Sequence, residues 1–72
     1  MMKRFGEKLY TLRTQQSLSL RQLASHLDMK SHSYLNKIES GTRKPSADLI
    51  VTIAELFEVS FDQLMDDRVE LE

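Results

Sequence analysis

An all-α fold, a compact domain of five short helices, is predicted by three observations on this 72-residue chain. Apolar residues recur at helical spacing, as where Phe5, Leu9 and Leu12 stand at i, i+4 and i+7. Serines stand where helices would begin, twice with a glutamine three residues on, in Ser19-Leu20-Arg21-Gln22 and Ser60-Phe61-Asp62-Gln63. The chain also holds one proline and two glycines, too few turn formers for an all-β domain.

The first helix is expected over about residues 3–16, with Phe5, Leu9 and Leu12 inward. Gly6 costs roughly 1 kcal/mol against alanine inside a helix, so the start is expected near it. The second begins at the Ser19–Gln22 capping box, with Leu18 and Leu23 as the hydrophobic staple around it. Leu20, Leu23, Ala24 and Leu27 form its apolar side, and it ends near Asp28. Ser31 is expected to cap a third helix from His32 to Ser40, stopped by Gly41 as its left-handed C′ residue. Leu35 and Ile38 point inward there, and Ser33, Asn36, Lys37 and Ser40 fall on the opposite face. Ser46 caps the fourth helix, with Asp48 in its first turn, where the dipole favours an acid. Leu49, Ile53 and Phe57 form its stripe, broadened by Ile50, Ala54 and Leu56. The fifth helix is short, from Phe61 to Met65 behind the Ser60–Gln63 box with Val59 and Leu64 as staple. The acidic tail after it is expected to fray.

The length fits a single domain over 1–72, with a core of about 5–65 and an acidic tail at 66–72. A chain this short buries only about 60% of its unfolded surface. With no cysteine there is no disulfide framework and no Cys-based zinc site. His26 and His32 stand six apart with no acid at ligand spacing, so no metal is expected. No nucleophile motif is present, and an enzyme is not expected. No cofactor and no small-molecule ligand is evident. The longest apolar run is Leu49-Ile50-Val51, so no membrane span is expected, and the first residues contain no secretory h-region. A cytoplasmic location is the default expectation.

The net charge of −1 conceals a division. Residues 1–45 carry nine cations against three acids, a balance of +6, and residues 46–72 carry one against eight, a balance of −7. The first part suits a polyanion and the second repels it. A solvated surface that happens to be sorted along the chain accounts for the same counts.

The run Leu18-Ser19-x-x-x-Leu23-Ala24-x-x-Leu27, followed by Ser33-Tyr34-Leu35-Asn36-Lys37-Ile38-Glu39-Ser40-Gly41-Thr42-Arg43-Lys44-Pro45-Ser46, resembles the phage-repressor/Cro-type (XRE-like) helix-turn-helix family. The resemblance covers about residues 5–65, and Arg13, five before Leu18, fits the same pattern. It implies a five-helix DNA-binding domain whose third helix enters the major groove, and a homodimer. Ala24 matches the small residue at the crossing of the second and third helices. Arg13 and Glu39 match a buried Arg–carboxylate pair that orients the third helix; a surface pair, worth about 0–1 kcal/mol, is the alternative.

The resemblance puts Ser31, His32, Ser33, Asn36 and Lys37 at base-reading positions. Lys37 suits guanine O6/N7, Asn36 suits adenine, and serine suits either. Spacing alone fits a solvated helix face equally well. Thr42, Arg43 and Lys44 match a loop whose backbone and basic side chains hold phosphate, which positions without reading sequence. Two departures from the family pattern stand out. One extra residue lies between Leu27 and Tyr34, which bears on how the third helix docks. Leu20 stands where the family often has a phosphate-binding glutamine, so Arg21 or Gln22 is expected to take that contact.

The function implied is a transcriptional regulator, a repressor that binds a pseudo-palindromic operator in double-stranded DNA as a homodimer. Ile50, Phe61, Met65 and Val69 are the expected partner contacts, because the fourth helix carries more apolar residues than one face needs. A restriction–modification controller is the alternative within the class. A protein-interaction module such as an antitoxin is the alternative outside it, favoured if the acidic tail closes the positive surface.

Overall fold

The structure, a computed structural model, describes residues 4–71. Five helices follow in order: α1 (Phe5–Gln15), α2 (Leu20–His26), α3 (Ser33–Glu39), α4 (Ala47–Phe57) and α5 (Phe61–Met65), with no strand among the described residues. α1 packs against α3 and α5, α2 against α3, and α4 against α5. None of these helices is long and apolar enough to cross a membrane.

Three of the five helix starts are made by the predicted serines. Ser19 Oγ accepts from Gln22 N (3.0 Å) while Gln22 Oε1 accepts from Ser19 N (2.8 Å). Ser60 and Gln63 repeat the reciprocal pair at 3.0 and 2.9 Å, and Ser46 Oγ accepts from Leu49 N at 3.2 Å. Each satisfies backbone donors that a helix start leaves orphaned.

Four helix ends share one closure. A left-handed residue follows α1, α2, α3 and α4, namely Ser17, Asp28, Gly41 and Glu58, with φ of 58°, 58°, 84° and 56°. The next N–H then reaches back five residues: Leu18 to Arg13, Met29 to Ala24, Thr42 to Lys37 and Val59 to Ala54, at 2.8–3.0 Å. Leu18, Met29 and Val59 also pack on the core, the apolar contact that accompanies this cap.

The core is built from Phe5, Leu9 and Leu12 of α1, Leu23 and Ala24 of α2, Leu35 and Ile38 of α3, Ile50 and Ile53 of α4, and Leu64 of α5. Gly6 lies in the first turn of α1, against the end of α3. A Cβ there would stand 2.5 Å from Ile38 O and 2.7 Å from Glu39 O, so only glycine lets the two backbones approach this closely.

Three expectations are corrected here. The stripe of α4 is turned toward Ile50, which is 4% exposed, while Leu49 and Phe57 are only half-buried. Ile50 is therefore a core residue of the protomer and is withdrawn from the partner surface. The exposed apolar side chains of this half are Val51, Leu56 and Phe61.

The tail is held as far as Leu71, the last described residue, by two cations, Arg4 at the N-cap of α1 and Lys8 within it. Lys8, 1% exposed, donates from Nζ to the carbonyls of Gln63 (2.5 Å), Asp66 (2.8 Å) and Val69 (2.6 Å). Arg4 donates from its backbone N to Asp67 Oδ1 and from its guanidinium to Asp67 O and both Glu70 oxygens. Gln63 Nε2 adds a bond to Leu71 O at 2.7 Å, and Arg68 pairs with Asp66 at 3.1 Å. The third correction concerns α3, whose N-cap is His32 and not Ser31. His32 already has αR backbone (φ −91°, ψ 0°) and makes no side-chain cap, so the Ser31 hydroxyl reaches over it to accept from Ser33 N at 3.2 Å.

Candidate nucleic-acid interface

α2, the turn of residues 27–32 and α3 form a tight unit. Ala24 is 4% exposed between the helices, and Leu23, Leu35 and Ile38 are buried beneath them. With Leu35 and Ile38 inward, α3 turns Ser33, Asn36, Lys37 and Ser40 to solvent. Ser31 is exposed and His32 half-buried at the same end. Ser31 Oγ also donates to Ser33 Oγ at 3.2 Å, so these two hydroxyls act as a linked pair.

The pose of α3 is fixed from below by Arg13 and Glu39. Arg13 Nε donates to Glu39 Oε2 at 2.8 Å and Nη2 to Oε1 at 3.1 Å, a two-point match of fork to carboxylate. Nη1 donates to Leu18 O at 2.8 Å, and the guanidinium lies 5.2 Å from the Tyr10 ring centroid. The side chains are 12% and 9% exposed, so the pair is largely buried. The hydrogen bond from Arg13 to Glu39 raises the Arg13 pKa against the opposing effect of burial. One ion pair thus ties α1, the α1–α2 turn and the end of α3 together.

Thr42, Arg43 and Lys44 are exposed in the loop after α3. The Arg43 guanidinium sits 5.3 Å from the centroid of the Tyr34 ring, and Tyr34 Oη donates to Lys44 O at 3.2 Å, so the loop is anchored on α3. One expectation is corrected. The backbone N–H groups of Thr42 and Arg43 donate to Lys37 O at 2.8 and 3.2 Å, closing the end of α3. Those two backbone donors are thus engaged within the protein, which leaves the side chains to face a ligand. Gln22 is similarly divided: its carbonyl oxygen serves the capping box, and its amide N–H₂ remains outward-capable.

Charge is sorted more sharply in space than along the chain. Arg4, Arg13 and Arg68 are paired with carboxylates, and Lys8 is enclosed by three carbonyls. Apart from Lys8, whose partners are carbonyls, the described cations without an acid at ion-pair distance are Arg21, Lys30, Lys37, Arg43 and Lys44. All five are exposed, and all lie in the α2–α3 unit and its loop.

Sequence reasoning counted Lys8 and Arg4 with the polyanion-facing half, which they leave. The signal for Lys8 was present, since position 8 completes the inward stripe of 5, 9 and 12. The stacking of Arg43 on Tyr34 left no mark in the spacing.

A family model described as helix-turn-helix matches residues 9–64. No curated protein and no solved structure matches the chain.

Proposed function

Since the chain belongs to the XRE-type helix-turn-helix family of DNA-binding transcriptional regulators, we propose that it is a repressor that binds a pseudo-palindromic operator as a homodimer, with α3 in the major groove. The observation that carries this reading is the confinement of the unpaired described cations to residues 21–44, around the outward face of α3. Ser31, His32, Ser33, Asn36 and Lys37 read base edges. Arg21, Gln22, Thr42, Arg43 and Lys44 hold phosphates through their side chains. Arg13 and Glu39 keep α3 at its angle.

The interaction-module alternative needs an acidic tail lying over these cations. The tail instead lies on Lys8 of α1 and on Arg4 just before it, which favours DNA.

Size supports the dimer. The longest extent of the molecule is 31 Å, short of the roughly 34–36 Å between successive major grooves on one side of the duplex. One copy reads one groove, and a palindrome requires two. Phe61, 51% exposed, is the main contact, with half-buried Met65 and Val69 beside it in sequence and Val51 in place of Ile50.

The test is selection of a site from random DNA, followed by binding at several salt concentrations. Log affinity is expected to fall linearly with log salt, by about 0.9 per phosphate contact. Lys37→Ala is expected to cost about 1–3 kcal/mol and relax one operator position, and Arg43→Ala to weaken all sequences alike. Equal losses for both across a panel of single-base variants overturn the assignment of Lys37. A free protein that sediments as a monomer at tens of micromolar, and binds a full operator one to one, overturns the dimer.

A further inference from the structure

An open cleft of about 420 Å³ lies between α2 and the turn that precedes α3. Its floor is apolar, Ala24 and Met29. Its rim is Arg21 and Ser25 from α2 and Lys30, Ser31 and His32 from the turn. Two cations, two hydroxyls and an imidazole therefore line it, with no carboxylate among them. Asp28, the acid nearest in sequence, is exposed but is not part of the lining.

Both cations lack an acidic partner among the described residues, so their charge is available to a ligand. An anion is the complementary occupant, and the position of the cleft selects which. It connects the first turn of α2 with Ser31 and His32, at the start of the helix whose outer face bears Asn36 and Lys37. On the DNA-binding reading, a duplex lying on that face carries its backbone past Arg21 and Lys30, outside the base-reading residues Ser31 and His32. Leu20, which opens α2, is half-buried against the core and has no polar side-chain atom, so Arg21 is the cation that the first turn of α2 presents to the cleft.

We propose that Arg21 and Lys30 grip one backbone phosphate of the DNA duplex between them across this cleft, with the Ser25 hydroxyl as a further donor. The proposal rests on the DNA-binding reading and adds a contact, Lys30, that the sequence pattern did not assign. Arg21 comes from the first turn of α2 and Lys30 from the turn before α3, so the two cations that line the cleft belong to different elements. Arg21 supplies a planar fork and Lys30 a point charge, a combination that fixes a phosphate in position without selecting a base.

Sharing has a distinctive signature. If one phosphate is held by two cations, removing either leaves the phosphate neutralised by the other. Lys30→Ala and Arg21→Ala are each expected to weaken binding about tenfold, the loss of one charge-assisted hydrogen bond, uniformly over single-base operator variants. Each is expected to leave the salt slope nearly intact. The double variant is expected to reduce the slope by about 0.9, one released counterion.

The measurement is fluorescence anisotropy of the full chain on its selected operator between about 50 and 200 mM salt. Lys30 is exposed and unpaired among the described residues, so Lys30→Ala should melt as the parent does. Unchanged affinity in Lys30→Ala overturns the proposal. So does a slope that drops by about 0.9 in each single variant and about 1.8 in the double, which means two separate phosphates. A shift of the Lys30 and Ser31 amide resonances by millimolar inorganic phosphate, with DNA affinity of Lys30→Ala unchanged, assigns the cleft to a free anion instead. A parent chain that binds no duplex overturns the DNA reading itself, which separates the two failures.

Discussion

Glu39 presents both carboxylate oxygens to one guanidinium, and the same guanidinium reaches Leu18 O, so nearly every polar atom of the pair is engaged in a site about one-tenth exposed. Removing one partner of such a pair strands the other charge, at a cost of roughly 3–5 kcal/mol. Glu39→Ala is therefore expected to lower the denaturation midpoint sharply, while an exposed pair would lose under about 1 kcal/mol. Lys8 poses the same question without an acid. Its ammonium is the donor for the carbonyls of Gln63, Asp66 and Val69, and Lys8→Met keeps the bulk while removing that donor. The cost is expected to be about 3 kcal/mol, read as a fall in melting temperature together with new protease cleavage within 66–71. The two cases differ in how much the sequence revealed. The Arg13–Glu39 pair came from a family resemblance, which carries the partner with it. Lys8 shared the inward stripe of α1, but nothing in the spacing names carbonyls from residues 55 to 61 positions away as its partners.

Gly6 sets two effects on a helix against each other. Alanine gains about 1 kcal/mol in helical propensity over glycine. At this position its Cβ would meet two backbone carbonyls at 2.5 and 2.7 Å, and a backbone cannot swing aside as a side chain can. Overpacking costs typically 1–3 kcal/mol, so Gly6→Ala is expected to destabilise in urea unfolding despite the better propensity. It is also expected to weaken operator binding by tilting α3. Helix starts were more legible than helix ends, for a physical reason. Ser19, Ser46 and Ser60 cap by a side chain whose chemistry is visible in the sequence. Four ends close by one backbone geometry, yet only Gly41 advertises it. Ser17, Asp28 and Glu58 adopt the same left-handed turn without glycine, carried there by the apolar residue that follows each and packs on the core. The start of α3 was missed because its cap is indirect, from Ser31 over a helical His32.

Across the whole molecule, opposite charges along the chain have been brought into register at one end, where Arg4 meets Asp67 and Glu70. The hydrogen bonds from Arg4 hold Glu70 below its ordinary value of 4.5, and those from the Arg68 side chain and backbone hold Asp66 below 3.8. Because both folded values are depressed, their contribution is complete above the unfolded values and is lost as pH falls through the folded ones. Amide shifts of residues 66–71 are expected to stay constant from neutral pH down to about 5 and to move toward unfolded positions in more acid solution. Glu70→Gln is expected to shrink that transition, and a tail that loosens on raising the pH instead contradicts the assignment. The charge division was legible as a count, but its use was not. Position along the chain implied that the first 45 residues face the polyanion together, whereas folding turns Arg4 and Lys8 onto the tail and leaves the cations of residues 21–44 exposed.

The bond from Arg4 N to Asp67 Oδ1, 2.9 Å long, brings the head and foot of the described chain side by side. A short peptide linker between residues 4 and 71 would therefore close the described segment into a ring without drawing on α3 or its loop. A covalent circle leaves the folded molecule as it is and confines only the denatured chain, for which loop-closure entropy gives a gain on the order of 4 kcal/mol. The cyclised protein is expected to melt higher and to bind its operator unchanged.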